Sequence, residues 1–159
     1  MKQRDTFLAI IVLAIIGLVV ASFAVVLLSP EPEYKVENTA ETAVYNYLLA
    51  LQLEDYERAL RYIADDVANR PADAAEMEWD TRQNSWRFDN SNDSGLTITG
   101  SRVLGDSATV TIRKTWSTSP FLGDVAATEY TIRLKQESGM WKLIDGQTHW
   151  AAEWGNEND

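Results

Sequence analysis

The distribution of apolar positions divides the chain into two unlike parts. Residues 7–28 form a run of 22 uncharged residues, all of them apolar except Gly17 and Ser22. As an α-helix this run reaches about 33 Å, enough to cross a hydrocarbon core about 30 Å thick. The pattern therefore predicts a transmembrane helix over residues 7–28, in contact with membrane lipid.

The charges on either side of this run predict its orientation. Residues 1–6 carry Lys2 and Arg4, whereas residues 29–38, predicted as a linker, begin with Ser-Pro-Glu-Pro-Glu. Because positively charged flanks stay on the cytoplasmic side, we expect residues 1–6 in the cytoplasm and everything after Leu28 outside. A short basic N-terminus of this kind suits a bacterial inner membrane.

A cleaved signal peptide is the alternative interpretation of the same run. Ser22-Phe23-Ala24 offers a cleavage site with small residues at both ends. However, the apolar region of a signal peptide is about 7–15 residues long, and here residues 25–28 continue the run beyond the cut. We therefore expect a retained anchor.

Small residues recur within the predicted span. Ala14, Gly17 and Ala21 lie at spacings that place them on neighbouring faces of a helix. Small side chains let a second membrane helix approach closely. We expect helix packing at these three residues, with passive anchoring in lipid as the alternative.

After the linker the apolar positions recur at helical spacing. A first stripe runs over residues 40–53, with Asn38 as the predicted N-cap and Glu41 completing a capping box. A second stripe follows over residues 56–63. Pro71 suits the first position of a third predicted helix, which extends over residues 72–87.

After Gly95 the apolar period changes from that of a helix to that of a strand. Alternating segments at residues 96–99, 108–113, 130–135 and 141–145 predict four strands, joined in part by tight turns at Gly105-Asp106 and Ser138-Gly139. Because no helical pattern separates them, the strands should pair as an antiparallel meander. The sequence therefore predicts an α+β domain over residues 39–150, with about three helices packed on a curved four-stranded antiparallel sheet, and a tail at residues 151–159.

Two segments of this domain resemble a known family. One is Tyr-Leu-Leu-Ala-Leu-Gln-Leu-Glu-Asp-Tyr-Glu-Arg-Ala-Leu-Arg-Tyr-Ile at residues 47–63, and the other is Gly-Met-Trp-Lys-Leu-Ile-Asp at residues 139–145. With the meander between them, they resemble the nuclear transport factor two-like superfamily. This is the cystatin-like cone fold that includes SnoaL-like and ketosteroid-isomerase-like proteins.

The resemblance implies a fold more specifically than a function. In that superfamily the curved sheet and the helices enclose a pocket, which some members use for catalysis, whereas others serve as scaffolds or dimer modules. Membrane-anchored members with a similar layout include assembly subunits of type IV secretion systems and proteins associated with mammalian-cell-entry transporters.

Composition and charge exclude several kinds of site. The 159 residues contain no cysteine and one histidine, which excludes disulfides, thiolate metal sites, a cysteine nucleophile and a multi-histidine metal centre. Beyond residue 28 there are 12 basic and 23 acidic side chains, a net charge of −11. Such a domain repels nucleic acid. We expect no nucleic-acid partner, no metal and no cofactor.

An enzyme would need a titratable group inside the cone. Alternation places Asp145 on the same face as Trp141 and Leu143, where a desolvated carboxylate could act as a base. The resemblance implies that His149 and a tyrosine, Tyr130 or Tyr47, could assist it, because catalytic members use an Asp or His with a tyrosine. Against this, Asp145-Gly146 is typical of a turn that ends a strand. We therefore expect no enzymatic activity.

Two tryptophans near the end of the chain are candidate contact residues. Trp150 and Trp154 lie four residues apart in Trp-Ala-Ala-Glu-Trp. They either fold back over the sheet edge or the mouth of the cone, or they contact a partner subunit or the lipid interface.

These observations lead to three hypotheses. The first is a membrane-anchored, non-enzymatic scaffolding or protein-binding module, an accessory subunit of a complex or a homo-oligomer. The second is a cone that binds a small apolar ligand. The third is an isomerase-like or dehydratase-like enzyme that uses Asp145.

Overall fold

A computed structural model describes residues 11–18, 32–68, 70–83, 94–118 and 124–145, apart from the side chain of Ser94. The chain divides into two compact units, residues 1–33 and residues 34–159. In the first unit residues 11–18 are α-helical, and all eight are exposed. Among the described residues, no helix is both long enough and apolar enough to span a membrane.

The second unit begins with helix α1, Ala40–Gln52. Its N-cap is Thr39, whose hydroxyl accepts a hydrogen bond from the backbone N–H of Thr42 at 3.1 Å. The prediction of Asn38 as the cap is therefore wrong by one residue, because the adjacent threonine supplies the same kind of oxygen. Glu41 does not complete a capping box but accepts a hydrogen bond from the hydroxyl of Ser101.

The predicted break between the first two helices is confirmed. Helix α2, Tyr56–Arg61, follows Glu54, whose φ of 57° lies in the left-handed region. The side chain of Asp55 caps α2 by accepting from the N–H of Arg58 at 3.2 Å. A helix cannot continue through a left-handed residue, so two helices form where the apolar register breaks.

Helix α3, Ala74–Gln83, begins later than predicted. Asp73 accepts from the N–H of Glu76 at 2.9 Å, and the Glu76 carboxylate accepts from the N–H of Ala72 at 2.6 Å. These reciprocal bonds fix the start of the helix beyond Pro71, so the prediction that Pro71 occupies its first position is wrong. Residues 84–87 of the predicted helix lie outside the described residues.

Four antiparallel strands form the sheet, in the order of the chain as predicted. They are β1, Ser94–Leu104; β2, Ser107–Ser117; β3, Val125–Glu137; and β4, Met140–Asp145. The two tight turns lie where the sequence predicts them: Gly105 has a φ of 59°, and Gly139 has a φ of 79°. Turns that match the twist of a hairpin need such positive φ values.

One face of the sheet packs on the helices and makes the core, so the predicted α+β class is confirmed. The core comprises buried apolar residues from both layers, among them Val44, Tyr47, Ala59, Ile63, Val110, Ile112, Ile132, Leu134 and Leu143.

A short backbone ladder joins the end of α2 to β4. The N–H of Leu143 donates to the carbonyl of Tyr62 at 2.7 Å, and the N–H of Ala64 donates to the carbonyl of Leu143 at 2.9 Å. This ladder holds the last turn of α2 beside the first residues of β4, where the candidate site lies.

Candidate functional site

A cleft of about 590 Å³ opens in the second unit. Its walls come from residues 35–39, from the buried side of α1 at Thr42, Ala43 and Asn46, from the end of α2, and from the first three residues of β4. Three consecutive segments within residues 35–62 therefore meet the start of β4, which is distant in sequence, at one concave surface.

The first wall is a segment that we call the strap, residues 34–38. Asn46 on α1 holds the strap by both of its amide atoms: it accepts from the N–H of Lys35 and donates to the carbonyl of Lys35, each at 2.8 Å. Asn38 donates to the carbonyl of Gly139 in the β3–β4 turn at 2.6 Å. The Tyr34 hydroxyl donates to Asp55 at 3.4 Å.

The strap belongs to the folded unit, which begins at residue 34. The last five residues of the predicted linker, residues 34–38, are therefore bonded to the folded unit. The cause is Asn46, which is only 4% exposed and satisfies both backbone polar groups of Lys35. A buried amide needs such partners, and the strap backbone provides them.

Basic side chains concentrate at the cleft. Lys35, Arg58, Arg61 and Lys142 line it, and among the described residues of the lining Glu37 is the one that is acidic. These are four of the 12 basic residues beyond residue 28, against one of the 23 acidic residues. The cleft is thus a positively charged surface on a strongly acidic domain, which makes it attractive to anions.

Aromatic rings hold two of these cations in place. The Arg58 guanidinium lies 3.9 Å from the centroid of the Tyr34 ring and 3.4 Å from the Asp55 carboxylate. The Lys35 ammonium lies 4.3 Å from the centroid of the Tyr45 ring. Both distances are within the range of cation–π attraction. Burial raises the pKa of the Tyr34 phenol, and the nearby Asp55 carboxylate adds to the rise.

The other two cations lie at the junction of α2 and β4. The Lys142 ammonium donates to the backbone carbonyl of Arg61. The Arg61 side chain is exposed, and within the described part of the chain its guanidinium has neither an ion pair nor a hydrogen bond. Arg61 therefore presents donors to any molecule that enters the cleft.

Apolar groups line the same cleft. Trp141 is 8% exposed and belongs to the core, as the sequence predicts. Tyr62 is partly buried against the core, whereas Met140 and Val36 are exposed. The lining thus combines cations with aromatic and aliphatic surface.

Asp145 does not lie where alternation places it. The β3–β4 register shifts between Arg133 and Leu134, so that Leu143 pairs with Leu134 but Asp145 pairs with Arg133. The Arg133 guanidinium contacts the Asp145 carboxylate at 2.7 Å. The prediction that Asp145 shares the face of Leu143 is therefore wrong, because the bulge turns it to the opposite face.

The other predicted site residues divide into two groups. Tyr130 pairs with Ile112 and packs against the core, so the sheet separates it from Asp145. Ala14 and Gly17 lie in the helical stretch of residues 11–18. The remaining candidates, Ala21, His149, Trp150 and Trp154, lie outside the described residues. Across residues 11–18, 32–68, 70–83, 94–118 and 124–145, no cluster of three potential metal ligands occurs.

Replacing Asn46 by alanine should loosen the strap. We expect the free energy of unfolding to fall by about 1–3 kcal/mol, because two buried hydrogen bonds are lost. Hydrogen exchange at the Lys35 amide should accelerate. The control is Asn38→Ala, which removes one hydrogen bond from an exposed side chain and should change stability by no more than about 0.5 kcal/mol. Equal effects of the two changes would contradict the role of Asn46.

Among known proteins, the chain is similar to several solved structures. No protein-family model matches the sequence, and no curated protein matches it. The similar structures include a SEC-C motif protein from Rhodopseudomonas palustris, with 15% identity over 67% of this chain and 76% of that one and a TM-score of 0.46.

Two further solved structures match this chain with similar identity, coverage and TM-score. A protein described as a calcium/calmodulin-dependent protein kinase type II association domain, from Thiobacillus denitrificans, shows 14% identity over 72% of this chain and 94% of that one, with a TM-score of 0.47. A nuclear transport factor two-like protein of unknown function from Shewanella oneidensis shows 12% identity over 67% and 92%, with a TM-score of 0.42. These similarities concern the path of the backbone.

Proposed function

We propose that this chain is a single-pass membrane protein whose nuclear transport factor two-like domain is a non-enzymatic binding module outside the cytoplasm. In this proposal it is an accessory subunit of a membrane complex or a homo-oligomer. The observation that carries the proposal is the strap. Only residues 29–33 separate the predicted span from a segment that is bonded into the folded unit and forms a wall of its cleft.

The helical stretch at residues 11–18 supports the membrane part of the proposal. Its six large apolar side chains are between 39% and 70% exposed. Water disfavours an apolar surface of this kind, and lipid accepts it. Among the described residues, and apart from its chain neighbours and the backbone of its own helix, no atom lies within 4 Å of the position that a Cβ would take at Gly17. A second helix packed at Ala14, Gly17 and Ala21 is therefore part of the proposal.

The place of Asp145 favours binding over catalysis. Its carboxylate contacts Arg133 on the sheet face that turns away from the core. A base for proton abstraction works within hydrogen-bond reach of its substrate, and among the described residues Asp145 is not part of the cleft lining. This geometry supports a binding role over the isomerase or dehydratase hypothesis.

The binding of a small ligand is a second candidate function, and the size of the cleft supports it. A volume of about 590 Å³ falls within the usual range for small-molecule sites. The site lies at the strap and at the α2–β4 junction, and its cations distinguish it from the site for a small apolar ligand that the sequence suggested.

Purification from membranes in mild detergent, followed by native mass spectrometry, tests this proposal. We expect a stoichiometric second subunit or a homo-oligomer of defined size. A small bound mass on an otherwise solitary chain would favour the second candidate. A monomer that carries nothing, in each of several detergents, would contradict both.

A further inference from the structure

Three of the four cations of the cleft lie at the C-terminal end of α2, and the fourth comes from the strap. Arg58 and Arg61 lie in the last turn of α2, where the helix dipole favours positive charge. The Lys142 ammonium reaches the same end from β4 and donates to the carbonyl of Arg61, the last residue of α2. Lys35 comes from the strap and is not explained by that dipole. Like charges brought together raise the energy of a fold unless something offsets them. A bound anion would provide that offset.

The cleft keeps donors available for such an anion. The Asp55 carboxylate contacts the Arg58 guanidinium, and among the described residues Glu37 is the carboxylate of the cleft lining. Four positive charges against these two leave an excess of positive charge. Among the described residues, the Arg61 guanidinium makes no competing bond. Guanidinium groups form paired, charge-assisted hydrogen bonds with carboxylates and phosphates.

The rest of the lining fits an apolar body attached to the anion. Trp141 and Tyr62 present aromatic surface, and the exposed Met140 side chain lies one residue before Trp141. A methionine thioether and an indole accommodate flat or aliphatic groups of varied shape.

We infer that the cleft binds an amphiphilic anion, a carboxylate or phosphate carried on an apolar body, with Arg61 as its principal charged contact. This inference rests on the proposed ligand-binding role and assigns its chemical class. Two sources share this chemistry: the headgroup of an anionic lipid and a soluble organic acid. The experiment below separates them.

The test uses the full chain in nanodiscs and two matched probes, 2-naphthoate and 2-naphthamide, which differ only in the anionic group. Binding is measured by equilibrium dialysis, with empty nanodiscs as the blank. We expect the naphthoate to bind at least about tenfold more tightly than the amide and to weaken as salt is added. Arg61→Gln should remove most of that preference, because it weakens naphthoate binding far more than naphthamide binding.

Arg102→Gln is the control, because it makes the same change at an exposed arginine of β1 outside the cleft lining. It should bind both probes as the unaltered chain does. Unfolding transitions of both variants establish that each one folds.

Nanodiscs of phosphatidylcholine alone and nanodiscs with added phosphatidylglycerol separate the sources. Weaker naphthoate binding in the nanodiscs that contain phosphatidylglycerol identifies an anionic lipid headgroup as the source. Equal naphthoate binding in both kinds of nanodisc identifies a soluble organic acid. Either result supports an anion site. Equal affinities for the two probes would overturn the anion inference while leaving a ligand site in place. If neither probe binds in either kind of nanodisc, the inference and the ligand-binding candidate are both overturned. A co-purified protein subunit would then still support the proposal of an accessory subunit in a membrane complex.

Discussion

Replacing Leu143 by alanine should lower the free energy of unfolding of the α+β domain by about 2–5 kcal/mol. The Leu143 side chain is fully buried, and its backbone carries both bonds of the ladder that joins β4 to the end of α2. Alanine keeps those backbone bonds but leaves a cavity between the sheet and the helices. Because a domain is stable by only about 5–15 kcal/mol, a loss of this size is a large fraction of the total.

Chemical denaturation of the full chain in detergent, followed by circular dichroism, measures this loss. Leu104→Ala is the matched control: it deletes the same atoms in the same sheet, but Leu104 is 64% exposed. We expect Leu104→Ala to change stability by no more than about 0.5 kcal/mol. Similar shifts for the two variants would contradict the packing of β4 on the helices.

The sequence predicts those parts of the fold that depend on local periodicity. Ala108, Val110 and Ile112 alternate with polar residues, and all three are buried in β2. The break at residues 53–55 is equally local, since Glu54 has a positive φ and Asp55 caps the next helix. Each of these signals is read within a few residues of the feature that it predicts.

The position of Asp145 could not be predicted in this way. Alternation within β4 is correct as far as Leu143, but the facing residue is set by the pairing with β3, which shifts by one residue at Arg133. A bulge changes the face of every residue beyond it. The sequence of a single strand carries no sign of its partner's register.

The cleft could not be predicted from the sequence for a different reason. Its cations come from residues 35, 58, 61 and 142, and only the tertiary fold brings them together. Prolines and acidic residues typical of a linker lie just before the strap. The sequence pattern therefore gives no indication that the strap is part of the folded unit. One signal was present: Asn46 lies within the first helical stripe, among residues that become buried. A buried amide at such a position points to a backbone segment that it must hold.

If the chain has the proposed topology, a single introduced cysteine should be labelled almost completely from one side of the membrane and not from the other. The chain contains no cysteine, so each introduced thiol is the only one present. Gln3→Cys places it before the predicted span, and Asp106→Cys places it in the exposed β1–β2 turn. An uncharged 22-residue run with a basic flank should keep the first inside the cell and export the second.

The most direct test is the labelling of these two variants in intact cells with a maleimide that cannot cross membranes. We expect Asp106→Cys to be labelled in intact cells, and Gln3→Cys to be labelled only after permeabilisation, both as membrane-bound chains of full length. Labelling of Asp106→Cys only after the cells are opened, or recovery of a labelled chain that has lost its first residues, would contradict a retained anchor with an exported binding domain.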